Sequence, residues 1–139
     1  MNKFLFIFPG QGSQYTGMGK DIFLEIPVVR ETYEEASDIL KYDLAKLSFD
    51  DPEKKLFLTR YTQPALLTHS IACLKSLEIE TNGLYSAQIA AGHSLGEYSA
   101  LVAAKCLTFA TALKLVQKRG ELMGKYGKGE MLALPLRKD

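Results

Sequence analysis

The stretch that decides the fold is Ala91-Gly92-His93-Ser94-Leu95-Gly96-Glu97. The short apolar run 88–90 precedes it, and a segment rich in helix-forming residues, 98–104, follows it. A strand that ends on a serine and turns at once into a helix is the setting in which G-x-S-x-G forms a nucleophile elbow, a tight turn that presents the serine hydroxyl. The pattern therefore predicts that Ser94 is a nucleophile that accepts an acyl group.

The two glycines of this motif are expected to make the turn possible. At Gly92 and Gly96 a side chain would collide with the tight turn that pushes the Ser94 hydroxyl over the sheet edge. The strained backbone also directs the amide of Leu95 toward the place where negative charge develops on an attacked carbonyl. The alternative is a glycine-rich turn in which a buried serine only caps the helix.

Composition limits the class of protein. A length of 139 residues fits one domain, or one domain and the beginning of another. The 17 basic and 16 acidic residues give a net charge of +1 without a basic run, which argues against nucleic acid as the main partner. Cys73 and Cys106 have neither metal-site nor disulfide-framework spacing; we expect two small buried residues in a reducing compartment, and no metal site.

The amino terminus contains no targeting signal by its pattern. The apolar run Phe4 to Phe8 ends at Pro9 and is too short for the apolar region of a signal peptide. No other run approaches the length that crosses a membrane. The sequence therefore predicts a soluble cytoplasmic protein without a membrane partner.

The segment Lys3 to Phe8 predicts a first strand buried on both faces, as in a parallel sheet. A loop with glycines at positions 10, 12, 17 and 19 follows, and such glycines let backbone amides approach a ligand. The glycine spacing fits neither of the common nucleotide-binding motifs. We therefore predict no nucleotide site in this loop.

The remaining segments predict an α/β fold in which helices flank parallel strands. Helices are expected over Pro27 to about Lys41, Asp43 to Leu47, Asp51 to about Leu58, Thr62 to about Glu80, the segment after the elbow, and Phe109 to about Tyr126; further strands are expected over Gln88 to Gly92 and Glu130 to Leu136. Periodicity places inward-facing stripes at Val29, Tyr33, Ala36 and Leu40, at Leu66, Ser70, Cys73, Leu74 and Leu77, and at Ala112, Leu115, Val116, Leu122 and Met123.

Four separated segments carry a family resemblance: Phe8-Pro9-Gly10-Gln11-Gly12-Ser13-Gln14, Tyr61-Thr62-Gln63-Pro64-Ala65, Gly92 to Glu97, and Gln117-Lys118-Arg119-Gly120-Glu121-Leu122-Met123. In order and spacing they resemble the malonyl-CoA:acyl carrier protein transacylases and the acyltransferase domains of polyketide synthases. The resemblance covers essentially all of the chain, but only the amino-terminal half of that family's length. It implies a partial α/β-hydrolase-like core over residues 1–129, and over 130–139 the first strand of an incomplete ferredoxin-like subdomain.

The resemblance also implies an activity for Ser94. This serine would take the malonyl group from coenzyme A as an ester and pass it to the phosphopantetheine thiol of acyl carrier protein. The backbone amides of Gln11 and Leu95 would form the oxyanion hole. No bound cofactor is implied, because the coenzyme A thioester is itself the substrate.

Three further residues are implied in substrate binding. Arg119 would bind the free carboxylate of the malonyl group, and Gln63 and His93 would lie in the same pocket. A guanidinium suits this role because it matches a carboxylate with two parallel hydrogen bonds, which lysine cannot do. Without the resemblance, Arg119 would be interpreted as a solvated arginine on a helix surface.

A general base for Ser94 is not evident in the sequence, although a serine nucleophile needs one. His93 precedes Ser94 directly, and neighbouring residues on a strand point to opposite faces. His69 is predicted to be a packed or half-exposed helix residue. In the family that the chain resembles, the catalytic histidine lies downstream of the inserted subdomain, and therefore beyond Asp139.

Two interpretations follow from the missing base. In the first, the chain is an inactive fragment or truncated gene product of an acyltransferase, whose carboxy-terminal half comes from elsewhere, for example as a separate chain. In the second, it is a stand-alone, non-catalytic module that binds acyl-coenzyme A or carrier protein, or packs against a partner. A serine esterase is disfavoured, because Arg119 suits an acyl group that carries a second carboxylate.

Overall fold

The structure, a computed structural model, describes residues 4–129. Its sheet contains two parallel strands, β1 (Phe4–Phe8) and β2 (Ala87–Gly92), paired so that Phe8 lies beside Gly92. The prediction of two parallel strands ending at these positions is confirmed. The predicted strand Glu130 to Leu136, and with it the boundary between residues 129 and 130, lies outside the described residues.

Six helices accompany this pair of strands in the described range. They are α1 (Lys20–Glu25), α2 (Pro27–Leu40), α3 (Leu44–Phe49), α4 (Thr59–Glu80), α5 (Gly96–Ala103) and α6 (Phe109–Tyr126). The α/β class is therefore confirmed, as are α2, α3 and α6 to within two residues. Helix α1 was not predicted, because six residues carry too little periodicity to distinguish a helix from a turn.

The core lies between the helices rather than around the sheet. The predicted stripe of α2 is buried as expected, and Tyr33 is its largest member. Tyr33 packs edge-on against Phe23 and lies next to Phe49. The other large, fully buried side chains of this cluster come from several helices and loops: Met18, Leu44, Leu56, Leu67, Ile71, Leu95, Leu113 and Val116.

The predicted helix from Asp51 to about Leu58 is wrong, because this segment forms turns. Asp51 and Lys54 adopt positive φ angles of 38° and 54°, which a right-handed helix does not allow. The Asp51 carboxylate instead accepts hydrogen bonds from the amides of Lys55 and Leu56, at 2.7 and 3.1 Å. An aspartate that bonds to nearby backbone amides stabilises a turn at the expense of a helix.

Helix α4 begins at Thr59, three residues before its predicted start, and continues through Pro64. Its amino-terminal half is buried on nearly every side, including the polar residues Thr62 and Gln63. The predicted apolar stripe is wrong in part, since Cys73 and Leu77 are exposed. Periodicity fails here because α4 is packed between other helices, so one narrow stripe does not describe its contacts.

The predicted inward face of α6 is also wrong in part. Ala112 and Val116 are buried as expected, but Leu115, Leu122 and Met123 are each more than 40% exposed. The buried positions instead include Phe109, Leu113 and Gly120. Gly120 is buried because α6 crosses α4 so closely that a Cβ at this position would lie 2.9 Å from Arg60 Cα.

The prediction that β1 is buried on both faces is wrong for the described part of the chain. Leu5, Ile7 and Ile89 are 53, 72 and 64% exposed, and the register places Leu5 beside Ile89. These three residues define an open sheet face. Parallel sheets normally have both faces covered.

The prediction that both cysteines are buried is wrong as well, since Cys73 and Cys106 are exposed.

Candidate active site

The turn from β2 to α5 holds Ser94 in an unusual backbone conformation. Ser94 has a φ angle of 52°, in the left-handed region that residues with a side chain rarely adopt. A Cβ at Gly92 would overlap the backbone of Gly96, and a Cβ at Gly96 would overlap the Phe8 carbonyl. Both glycines are thus required by close approach, as predicted, and the turn has the geometry of a nucleophile elbow.

Hydrogen bonds and packing fix the turn against β1. The His93 amide donates to the Phe8 carbonyl at 3.1 Å, and the Gly96 amide donates to the His93 carbonyl at 2.9 Å. The Leu95 side chain is fully buried in the core. Because both the backbone and the next side chain are anchored, the exposed Ser94 side chain is held at the amino terminus of α5.

Arg119 extends from α6 to the Ser94 hydroxyl. Its Nη2 donates to Ser94 Oγ at 3.2 Å, and its Nη1 donates to Gln63 Oε1 at 2.9 Å. The guanidinium also lies 5.9 Å from the ring centroid of Tyr98. Since Ser94 Oγ accepts this bond, its own proton remains free to be donated to a base. The structure therefore brings together Ser94, Arg119 and Gln63, three of the predicted site residues, from three different helices or turns.

Two neighbours of this group were not among the site residues predicted from the sequence. Met123 Sδ accepts a hydrogen bond from Gln63 Nε2 at 3.3 Å, and Tyr98 contributes the ring beside Arg119. Met123 follows Arg119 by four residues on α6, so it lies one helical turn further along the same face. This spacing could have identified Met123 as a neighbour of the site. The periodicity of α6 instead predicted that Met123 belongs to the core.

Gln11 lies in the loop that follows β1, and this loop packs against the elbow. A Cβ at Gly10 would lie 2.6 Å from the His93 carbonyl oxygen, so the two segments touch. The Gln11 side chain donates to Thr59 Oγ1 at 3.0 Å, at the start of α4. Within residues 4–129 neither the Gln11 amide nor the Leu95 amide donates a hydrogen bond. Both amides are therefore free of protein partners in the part of the chain that the structure describes.

Neither histidine is bonded to Ser94 in the described part of the chain. The exposed side chain of His93 packs beside Gly10. His69 lies 3.5 Å from the Tyr33 hydroxyl and 3.7 Å from Cys73 Sγ, a packed position that confirms its structural assignment. Burial lowers the pKa of the His69 imidazole below its ordinary value, and the Asp21 carboxylate opposes this shift.

Over positions 4–129 no group of three or more histidine, cysteine, aspartate or glutamate side chains is arranged to hold a metal ion. None of the helices in this range combines the length and hydropathy that crossing a membrane requires.

Comparison with known proteins identifies the family. The sequence model of the family described as the acyl transferase domain matches residues 5–139. The malonyl CoA-acyl carrier protein transacylase of Bacillus subtilis is 45% identical over 137 residues, and that of Haemophilus influenzae 47% identical. Each match covers 96% of this chain but only 42 and 44% of the relative, so the chain spans less than half the length of the curated relatives it matches.

Solved structures give the same result. The malonyl CoA-acyl carrier protein transacylase of Clostridium perfringens superposes with a TM-score of 0.81 at 43% identity, over 88% of this chain and 38% of that one. A malonyl-transacylase in complex with a type II polyketide synthase acyl-carrier protein superposes with a TM-score of 0.83 at 47% identity, over 89% of this chain and 40% of that one. The chain belongs to the acyl transferase domain family.

Proposed function

We propose that this chain is the amino-terminal part of an acyltransferase that moves a malonyl group from coenzyme A to acyl carrier protein. One observation carries the proposal: Ser94 is exposed on a strained elbow while Arg119, fixed by Gln63, reaches its hydroxyl. A cation beside the nucleophile suits an acyl group that brings its own carboxylate. The names of the relatives support the same substrates.

In the proposed first half-reaction, Ser94 Oγ attacks the thioester carbonyl of malonyl-CoA. The unbonded amides of Gln11 and Leu95 would stabilise the oxyanion, helped by the amino terminus of α5. The C–S bond then breaks, and the proton from Ser94 leaves through a base to the coenzyme A sulfur. In the second half-reaction the phosphopantetheine thiol of the carrier protein attacks the ester carbonyl, the C–O bond to Ser94 breaks, and the proton of the thiol passes through the base to Ser94 Oγ.

Arg119 would bind the malonyl carboxylate and hold it away from the carbonyl that reacts. The guanidinium would exchange its bond to Ser94 Oγ for bonds to the substrate, because a carboxylate oxygen is a stronger acceptor than a hydroxyl. Gln63 would keep Nη1 in place during this exchange. His93 is proposed to border the same pocket, supported by its exposed position next to Ser94. No bound cofactor takes part, since the thioester supplies the activated acyl group.

The base is proposed to lie in a carboxy-terminal half that completes the fold, within a longer protein or as a separate chain. Two features support this: neither described histidine bonds Ser94, and the chain covers only 42% of the Bacillus subtilis relative. That half would extend the present strands into an α/β-hydrolase-like core with a ferredoxin-like subdomain starting near residue 130. It would also cover the open sheet face.

A cytoplasmic location is proposed as well, supported by two free, exposed cysteines.

The test uses the chain alone and a fusion enzyme, defined as residues 1–139 followed by the remaining carboxy-terminal part of the Bacillus subtilis relative. Each protein is incubated with malonyl-CoA and a carrier protein, and covalent mass on Ser94 and malonyl transfer are followed. We expect turnover by the fusion enzyme, lost in Ser94→Ala and kept in the matched control Ser86→Ala, an exposed serine outside the site.

The chain alone is expected to show no useful turnover, because general-base assistance contributes about 10² to 10⁴ in rate. Full turnover by the chain alone, abolished by Ser94→Ala, would show that His93 or His69 acts as the base. A fusion enzyme that binds malonyl-CoA without forming the ester would favour the non-catalytic module and contradict the proposal.

A further inference from the structure

The Gln63 side chain is completely buried and bonded at both ends. Its Oε1 accepts from Arg119 Nη1 at 2.9 Å, and its Nε2 donates to Met123 Sδ at 3.3 Å. Arg119 and Met123 both belong to α6, whereas Gln63 belongs to α4. The amide therefore joins two residues of one helix through a third residue on its neighbour.

The chemistry of the two partners allows only one orientation of this amide. A guanidinium only donates hydrogen bonds, and a thioether sulfur only accepts them. If the amide were reversed, its NH2 group would face the Arg119 donors and its oxygen would face the sulfur lone pairs. Both ends of a buried amide would then be unsatisfied, which is costly because no water replaces the lost bonds.

We infer that Met123 is a positioning residue, whose sulfur holds the Gln63 amide oxygen toward Arg119. With Nη1 fixed in this way, the second nitrogen of the guanidinium is directed at Ser94, where it lies 3.2 Å from Oγ. Met123 thus acts on the carboxylate-binding group from one helical turn away. The consequence for malonyl binding rests on the proposed function, but the orientation of the amide does not.

The first experiment compares three variants of the fusion enzyme. Met123→Leu keeps the volume and apolar character but removes the acceptor, so kcat/KM for malonyl-CoA is expected to fall about three- to ten-fold, the effect of one lost neutral hydrogen bond. Transfer from acetyl-CoA, which has no second carboxylate, is expected to stay within about twofold. Met123→Gln returns an acceptor oxygen and is expected to recover most of the malonyl activity. Met18→Leu, the same change in the core, is the matched control.

The ranking of the two variants separates positioning from simple contact. If Met123 only formed an apolar wall of the acyl pocket, leucine would preserve malonyl activity and glutamine would reduce it. That order, or an equal loss for malonyl-CoA and acetyl-CoA in Met123→Leu, would overturn the inference.

The second experiment does not depend on activity. The Gln63 side-chain amide is observed by NMR in 15N-glutamine-labelled fusion enzyme and identified by its loss in Gln63→Leu. Hydrogen exchange of this NH2 group is expected to be about three- to ten-fold faster in Met123→Leu than in the parent, and restored in Met123→Gln. If malonyl transfer is absent but this pattern holds, the proposed function fails and the inference stands. Equal exchange in the parent and Met123→Leu would overturn the inference.

Discussion

Ser94 occupies a backbone conformation that costs free energy wherever it is found. A residue with a Cβ in the left-handed region costs about 1 to 3 kcal/mol, so its surroundings must enforce it. Here the enforcement comes from the His93 bond to Phe8 and from two glycines that permit backbone contact. The strain keeps the hydroxyl exposed at a helix amino terminus, where a relaxed turn would allow it to rotate inward and cap the helix.

At the residue scale, Arg119 is expected to determine substrate choice. In the fusion enzyme, Arg119→Ala removes a charge-assisted bond that contributes about 1.5 to 3 kcal/mol, so malonyl transfer should fall about ten-fold to somewhat over a hundred-fold. Acetyl transfer has no carboxylate to lose and should fall much less. The measurement is kcat/KM for malonyl-CoA and acetyl-CoA.

Two variants control this prediction. Lys118→Ala removes an exposed cation from the same helix without touching Ser94 and should leave both activities unchanged. Arg119→Lys keeps the charge but not the two-pronged geometry, so it should recover only part of the malonyl activity. Equal losses for both substrates in Arg119→Ala would mean that the guanidinium only stabilises the fold.

At the scale of single elements, α4 contacts the site near its start and packs against the core further along. Gln63, near its start, contacts Arg119, and His69, less than two turns later, packs against Tyr33 of α2. A Cβ at Gly19 would lie 2.6 Å from His69 Nδ1, so the loop before α1 also contacts this ring. The imidazole is therefore enclosed by two helices and a loop.

This enclosure predicts a pH dependence of stability. Burial lowers the pKa of His69 in the folded protein below its unfolded value of about 6.5, so the unfolded chain binds a proton more readily. The contribution of His69 is complete at higher pH and decreases as the pH falls through about 6.5 toward the lower folded value. In the fusion enzyme, the free energy of unfolding should fall more between pH 7.5 and 5 than in His69→Gln.

Urea unfolding at several pH values measures this difference. His93→Gln is the matched control, because its imidazole is exposed, and it should follow the parent. A parent and a His69→Gln variant whose stabilities change in parallel with pH would contradict the prediction.

The elements also show which parts of the structure a sequence can predict. The ends of β2 and α6 and the face of α2 follow from local patterns, because strands, caps and single-sided helices depend on neighbouring residues. The faces of α4 and α6 do not, since burial there depends on which helices cross them. The elbow was predictable because its glycines and serine are adjacent in sequence. The spacing of Met123 from Arg119 could have placed it near the site, but its bond to Gln63 could not be predicted, because the two residues are 60 positions apart.

At the scale of the whole molecule, the open sheet face exposes a group of apolar side chains within residues 4–129. Leu5, Ile7 and Ile89 expose large side chains next to one another on a sheet of two strands. Such a narrow sheet also presents unpaired edges, which invite pairing with other chains. We therefore expect the chain alone to aggregate, or to fold only with a partner.

A double substitution on this face tests that expectation. Ile7→Thr with Ile89→Thr keeps the β-branched shape that strands favour but makes the surface polar. The chain alone should become more soluble and more monomeric by size-exclusion chromatography. The fusion enzyme should instead lose about 2 kcal/mol or more of stability, because the same positions would then be buried.

The control is Leu84→Thr, which changes an equally exposed residue in the turn before β2 and should affect both proteins little. A sharp, reversible thermal transition of the unmodified chain as a monomer would contradict the expectation of marginal stability. Improved solubility together with an unchanged fusion enzyme would mean that no other part of the fold covers this face.

The parallel pairing of β1 with β2 has a consequence for synthesis of the chain. The Phe4 amide donates to a glutamine side chain 84 positions later, and strand pairing of such long range is slow because a large loop must first be closed. During translation, β1 emerges before β2 and remains unpaired, with its apolar residues exposed, until β2 leaves the ribosome. Helices α2 and α3 can already associate locally during this time. The nucleophile elbow therefore cannot form before residue 96 has been synthesised, and a nascent chain interrupted before residue 92 would release an unpaired apolar strand for chaperones to bind.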